Sequence, residues 1–93
     1  MNGMSFGDAL KALKSGRRVC RAGWNGKGMW LYLIPAEVMG VISVRPPASS
    51  NNPGEKYKPH ASIAMKTADG SLVVGWLASQ ADMLADDWML LED

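Results

Sequence analysis

Residues 61–76, Ala-Ser-Ile-Ala-Met-Lys-Thr-Ala-Asp-Gly-Ser-Leu-Val-Val-Gly-Trp, decide the fold class. Ala61, Ile63 and Met65 alternate with Ser62, Ala64 and Lys66, the period of two that sends successive side chains to opposite faces of a strand. Asp69-Gly70 is a hairpin turn signal, because aspartate and glycine tolerate the backbone twist that joins two antiparallel strands. Leu72 to Trp76 is then the returning strand.

Outward from this hairpin, Ser79-Gln80-Ala81-Asp82 has the spacing of a capping box and opens a helix of about two turns over Met83 and Leu84. Trp88-Met89-Leu90-Leu91 reads as a final strand. Toward the N-terminus, Met29 to Ile34 reads as a strand ended by Pro35. Trp30, Tyr32 and Ile34 fall on one face and Met29, Leu31 and Leu33 on the other, so both faces require cover. Arg18 to Arg21 alternates charged and apolar residues as a short half-buried strand. Ser5-Phe6-Gly7-Asp8 is another capping box; Phe6, Leu10 and Leu13 form one helical stripe, and Gly16 is the left-handed stop. Between Arg45 and Pro59 lie four of the five prolines, predicting a long loop over about 45–59. The expected architecture is one α+β domain over 1–93, a small mainly antiparallel sheet with two short helices.

Composition narrows the function. The chain has 93 residues, 47% of them hydrophobic, with seven methionines and four tryptophans. That is more large apolar surface than a domain of this size readily buries, which predicts a homo-oligomer or a ligand pocket. A net charge of +1 and a pI near 7.9 argue against binding a nucleic-acid polymer or a membrane surface through bulk charge. The distribution is polar: six of the ten basic residues lie in the first 27 positions, and none follows Lys66. This fits either pairing between the two ends or a cationic pocket wall opposite acidic hydroxyl acceptors. The single Cys20 excludes an internal disulfide and suits a reducing cytosol. No apolar run reaches membrane-spanning length and no signal peptide is evident, so a soluble, cytoplasmic protein is expected.

An enzyme needs a nucleophile, a base or a metal set, and the candidates are few. His60 is the only histidine, Cys20 lies mid-strand without a recognisable partner, and Asp86-Asp87 is either solvated or a weak magnesium site. No P-loop, dinucleotide fingerprint or hydrolase elbow is present. No catalysis, metal or cofactor is expected.

Binding chemistry is better supplied. In Arg21-Ala22-Gly23-Trp24-Asn25-Gly26-Lys27-Gly28, glycines permit close backbone approach and inward-turned amides, Trp24 offers a stacking face, and Asn25 offers a donor and an acceptor together. Arg21 and Lys27 add positive charge. In the segment from Trp76 to Trp88, the start of the Ser79 helix presents amides, while Gln80 and Asp82 can accept from hydroxyls. Alternatively, the first segment is a hairpin with a core tryptophan and the second is plain capping.

The motifs Arg-x-Gly-Trp-Asn-Gly-Lys-Gly-Met, Met65 to Gly70 and Trp-x-x-Ser-Gln-x-Asp-x-Leu-Ala-x-Asp-Trp resemble those of a small phage and prophage domain, the second type of Thoeris anti-defence protein. The resemblance covers nearly the whole chain, including Phe6 to Leu10, and leaves out the stretch near 45–58. It implies a sponge: an oligomer, usually a tetramer, that sequesters a cyclised ADP-ribose signal (gcADPR) without cleaving it. Some members similarly hold cyclic dinucleotides or oligonucleotides. On that basis Trp24 is assigned to base stacking, Asn25 and the Gly26 amide to ribose or phosphate, and Arg21 and Lys27 to phosphate. Trp76, Ser79, Gln80 and Asp82 form the opposing wall. Other readings are a structural or adaptor phage protein whose tryptophans contact protein, and a small phosphodiesterase.

Overall fold

The computed structural model describes residues 3–24, 28–43 and 56–91. Among them, three helices accompany a five-stranded antiparallel sheet and a separate two-stranded one. The elements are α1 (Phe6–Lys14), β1 (Val19–Arg21), β2 (Trp30–Ile34), α2 (Ala36–Met39), β3 (Ile42–Ser43), β4 (Lys56–Tyr57), β5 (Ser62–Lys66), β6 (Leu72–Val74), α3 (Gln80–Leu84) and β7 (Trp88–Leu90). The larger sheet has the order β6-β5-β2-β1-β7, with β3 and β4 paired apart from it.

Both ends of α1 follow from sequence. The Ser5 hydroxyl accepts from the Asp8 amide at 3.2 Å. After the Ser15 cap, Gly16 takes a φ of +89°. The Gly16 amide then reaches the Leu13 carbonyl and the Arg17 amide reaches Ala12, the paired bonds of a Schellman ending.

The β5–β6 hairpin forms as expected, with its turn set one residue differently from a two-residue Asp-Gly loop. The Gly70 amide donates to the Thr67 carbonyl, so Ala68 and Asp69 are the central residues and Gly70, at φ +94°, supplies the left-handed step that follows. The Asp69 carboxylate accepts from the Thr67 hydroxyl and the Ser71 amide. The return strand stops at Val74, short of Trp76. Gly75, at φ +95°, and Trp76 both donate to the Ile63 carbonyl, at 3.0 and 2.8 Å. Two residues opposing one make a glycine bulge that turns the chain out of the ladder and re-aims Trp76.

α2 and the β3–β4 pair depart from the expected two helices and continuous loop. Pro35 ends β2 but also occupies the N-cap of α2, and Gly40, at φ +72°, closes that helix after one turn. A proline that cannot extend a strand is well suited to start a helix. Lys56 and Tyr57, inside the stretch read as a loop, pair with Ser43 and Ile42. The rest of that stretch, 45–55, lies outside the described residues.

One face of the sheet carries the core. Ala9 and Leu13 of α1 are buried with Val19, Leu31 and Trp88, and Leu33, Ile63 and Met65 pack around them. Trp88 is 0% exposed. Its ring lies 5.4 Å from Phe6, centroid to centroid, and Met4 pairs with it as an isolated bridge that covers the outer side of β7. The opposite face follows from the pleat: Cys20, Trp30, Tyr32, Ile34, Ala64, Leu72, Val74 and Met89. Leu72, Val74 and Met89 remain exposed there. No helix among the described residues is long and apolar enough to cross a membrane.

A buried tryptophan with this many partners should dominate stability. Trp88→Ala is expected to cost about 3–5 kcal/mol, a large share of the 5–15 kcal/mol typical of a folded chain. Urea unfolding of the variant checks this, and an unchanged midpoint would contradict the central role of the ring.

Candidate functional site

The two tryptophan-centred segments meet, and the residues that join them are charged as well as aromatic. β1 and β7 pair antiparallel with Arg21 opposite Trp88, which brings the first segment alongside the end of the second. The Arg21 Nε donates to Asp87 Oδ1 at 2.8 Å and Nη1 to Asp82 Oδ1 at 2.9 Å. The second oxygen of Asp87 accepts from the Gly23 amide at 3.1 Å, and its carbonyl accepts from Ala22 at 3.0 Å. Ala22 to Trp24 is a tight 3₁₀ turn, so Asp87 grips the turn that carries Trp24.

Trp24 and Trp76 both stand edge-on to Trp88, at centroid distances of 5.6 and 6.3 Å. Their interplanar angles of 79° and 82° place a positive ring edge against a negative face. The Trp88 Nε1 donates to the Asp82 carbonyl at 2.9 Å, joining the ring to α3.

Asp82 completes the Ser79 capping box. Its Oδ2 accepts from the Ser79 amide and hydroxyl, while the Ser79 hydroxyl accepts from the Asp82 amide. Ser79 and Asp82 are therefore engaged with each other, and Asp82 with Arg21 as well. Gln80 is exposed at the first position of α3. Asn25, Gly26 and Lys27 lie outside the described residues. Two carboxylates face the single Arg21 guanidinium, so this trio is net negative. Of the two readings of the charge asymmetry, pairing between the two ends is the one realised at Arg21.

A hollow of about 240 Å³ lies beside the first segment, lined by Cys20, Arg21, Trp24, Gly28, Met29, Trp30 and Leu91. Its surroundings are aromatic and cationic: the Arg18 guanidinium lies 5.1 Å over the Trp30 ring, and Lys66 Nζ donates to the Gly28 carbonyl at 3.0 Å. Trp76, Ser79, Gln80 and Asp82 do not line it. The segments thus share the Trp88 cluster and the Arg21 ion pairs, while the hollow belongs to the first segment. A larger hollow of about 320 Å³, between α2 and Lys58-Pro59, holds none of the candidate residues.

The sequence put Trp88 in the right segment without a role, and it left Asp86-Asp87 as either solvated carboxylates or a weak magnesium site. The charge asymmetry was the one available signal for Asp87, and it did not single out a partner. Among the described residues, no cluster of three or more histidine, cysteine or acidic side chains is arranged to hold a metal ion. Burial, and then the negative charge of Asp87, push the Cys20 thiol up, away from the thiolate a nucleophile requires.

The fold and this cluster define a small α+β protein in which two distant tryptophan-bearing segments are locked around one buried indole. The chain belongs to the Thoeris anti-defense 2-like domain family, which it matches over residues 4–91. It is similar to Thoeris anti-defense 2 of Bacillus phage SP01, with 37% identity in an alignment 92 residues long that covers 91% of each chain. The resemblance drawn from the tryptophan motifs therefore holds.

The ion pairs predict an acid-sensitive cluster. The Arg21 bond lowers the Asp87 pKa most, burial opposes it, and the Gly23 amide adds to the lowering. For Asp82, burial is the largest influence and acts upward, but the bonds from Ser79 and Arg21 together outweigh it and leave the pKa lowered. Unfolded, both groups return to the ordinary value of 3.8. Their stabilisation is therefore present above about pH 4 and is lost as pH falls through the lower folded values. Urea midpoints measured from pH 6 down to pH 2.5 should decline over that window, and Arg21→Ala should flatten the decline. Equal slopes in the two proteins would show that the pairs contribute nothing to it.

Proposed function

We infer that this chain acts against Thoeris defence by binding and holding a cyclised ADP-ribose signal without cleaving it, as a homo-oligomer, in the host cytosol. Membership of the Thoeris anti-defense 2-like family over residues 4–91 carries the anti-Thoeris part of this reading. The sequestration part is supported by a hollow with two indoles, Trp24 and Trp30, in its lining and cationic Arg18 and Lys66 at Trp30 and Gly28. A nucleotide presents flat bases to stack and phosphates to neutralise, and those groups answer both needs. Trp24 is the stacking residue in this reading, and Asn25, Gly26 and Lys27, next to it in sequence, supply the polar and charged groups the reading assigns to ribose and phosphate. The second segment, with Trp76, Ser79, Gln80 and Asp82, lies outside this hollow and adjoins it through the Trp88 ring and the Arg21–Asp82 ion pair.

Oligomerisation is supported by the uncovered face of the sheet. Leu72, Val74 and Met89 stay exposed beside the partly exposed Trp30, Tyr32 and Ile34, and apolar surface of this kind favours association. A tetramer would bury that face and slow the release of a held ligand.

Incubating the purified protein with cyclised ADP-ribose tests the reading. The signal should disappear from solution and return unchanged, by mass, after heat denaturation; a hydrolysed product would make the protein an enzyme. In calorimetry, Trp24→Ala should weaken binding by about 2 kcal/mol or more if the ring stacks in an enclosed site. Light scattering should give the mass of a tetramer, and a monomer mass would remove the oligomeric part.

A further inference from the structure

We propose that Asp87 is a positioning residue for the Trp24 turn, and this deepens the reading of Trp24 as a ligand-stacking group on which it rests. Asp87 binds three successive points of the chain before that tryptophan: the Arg21 side chain, the Ala22 amide and the Gly23 amide. Both carboxylate oxygens are used, one for Arg21 and one for Gly23. An asparagine in the same pose would set its NH2 group against one of the two donors.

The clamp has a rigid base. Asp87 directly precedes Trp88, which is fully buried, so its backbone adjoins a strand position held in the core. The Trp24 ring is therefore constrained from two sides, through the residues just before it by Asp87 and by its near-perpendicular contact with the Trp88 ring. The Asp87 side chain itself is 35% exposed, and ion pairs at that exposure contribute little to stability. What its geometry supplies is orientation. It sets the turn from which the chain enters the glycine-rich residues 25–28, and it does so across 66 positions of sequence.

The test combines Asp87→Asn with Trp24→Ala in the full chain, with purified cyclised ADP-ribose as titrant. Asp87→Asn is expected to weaken binding about tenfold or more, the usual scale for loss of a charge-assisted bond. In the Trp24→Ala background it should add no further loss, since Asp87 acts only through Trp24. In ligand-free protein, the Gly23 amide should exchange hydrogen at least about tenfold faster. The Trp24 indole N–H resonance should move, while that of Trp76 stays in place and marks the variant as folded. The same criteria apply to Asp87→Glu, which keeps the charge facing Arg21 and guards against a variant that fails to fold. Unchanged Gly23 exchange and an unmoved Trp24 resonance, or binding losses that add, would overturn the proposal. If the wild-type chain takes up no cyclised ADP-ribose, the stacking role of Trp24 fails instead, and the ligand-free measurements still decide whether Asp87 positions the turn.

Discussion

Burial of the Trp88 indole is the constraint on which the other contacts depend. A buried indole needs a partner for its single N–H, and that partner is the Asp82 carbonyl. The bond fixes α3 relative to β7, and the Asp82 side chain then holds the start of α3 through Ser79 and reaches Arg21 on β1. Phe6, Trp24 and Trp76 use the same ring as a common surface. The N-terminal helix, the 3₁₀ turn and the segment after the bulge are therefore registered against one side chain.

Electrostatics complete what packing begins. The opposed charge of the two ends could have served a pocket or the fold. At Arg21 it serves the fold, because two carboxylates from the second segment converge on one guanidinium. Arg21 lines the hollow with its charge already paired, while Arg18, over Trp30, and Lys66, bonded to Gly28, lie against two other lining residues. Sequence proximity to a candidate pocket was thus a poor guide to which cation is spent on structure.

Much of the fold was legible because its signals are local. The β5–β6 hairpin, the α1 cap and Gly16 stop, and the Ser79 box each depend on residues within a few positions of one another. α2 escaped because one turn is too short to show a helical period, and Pro35 was read only as a stop. The bulge at Gly75 escaped because a glycine near a strand end has no periodic signature, and it moved the strand end away from Trp76. Lys56 and Tyr57 pair across a stretch whose composition favours turns. In the site, flanking residues marked both segments but did not tell a core indole from one beside a hollow. Trp24 lies among glycines and Trp88 heads an apolar run, but the burial of each indole is set by contacts far away in sequence. Asp87 was illegible for the same reason.

The antiparallel pairing of β1 with β7 also has a kinetic side. Residue 21 must wait for residues 87 and 88 before either the ion pair or the indole can find its place. Contacts of such long sequence separation are formed late, since the entropy of closing the loop precedes any reward. During synthesis, α1 and the β5–β6 hairpin can form while the core still lacks its largest member, leaving Leu13, Val19 and Leu31 uncovered. Until β7 docks, that apolar surface is open to association with other chains.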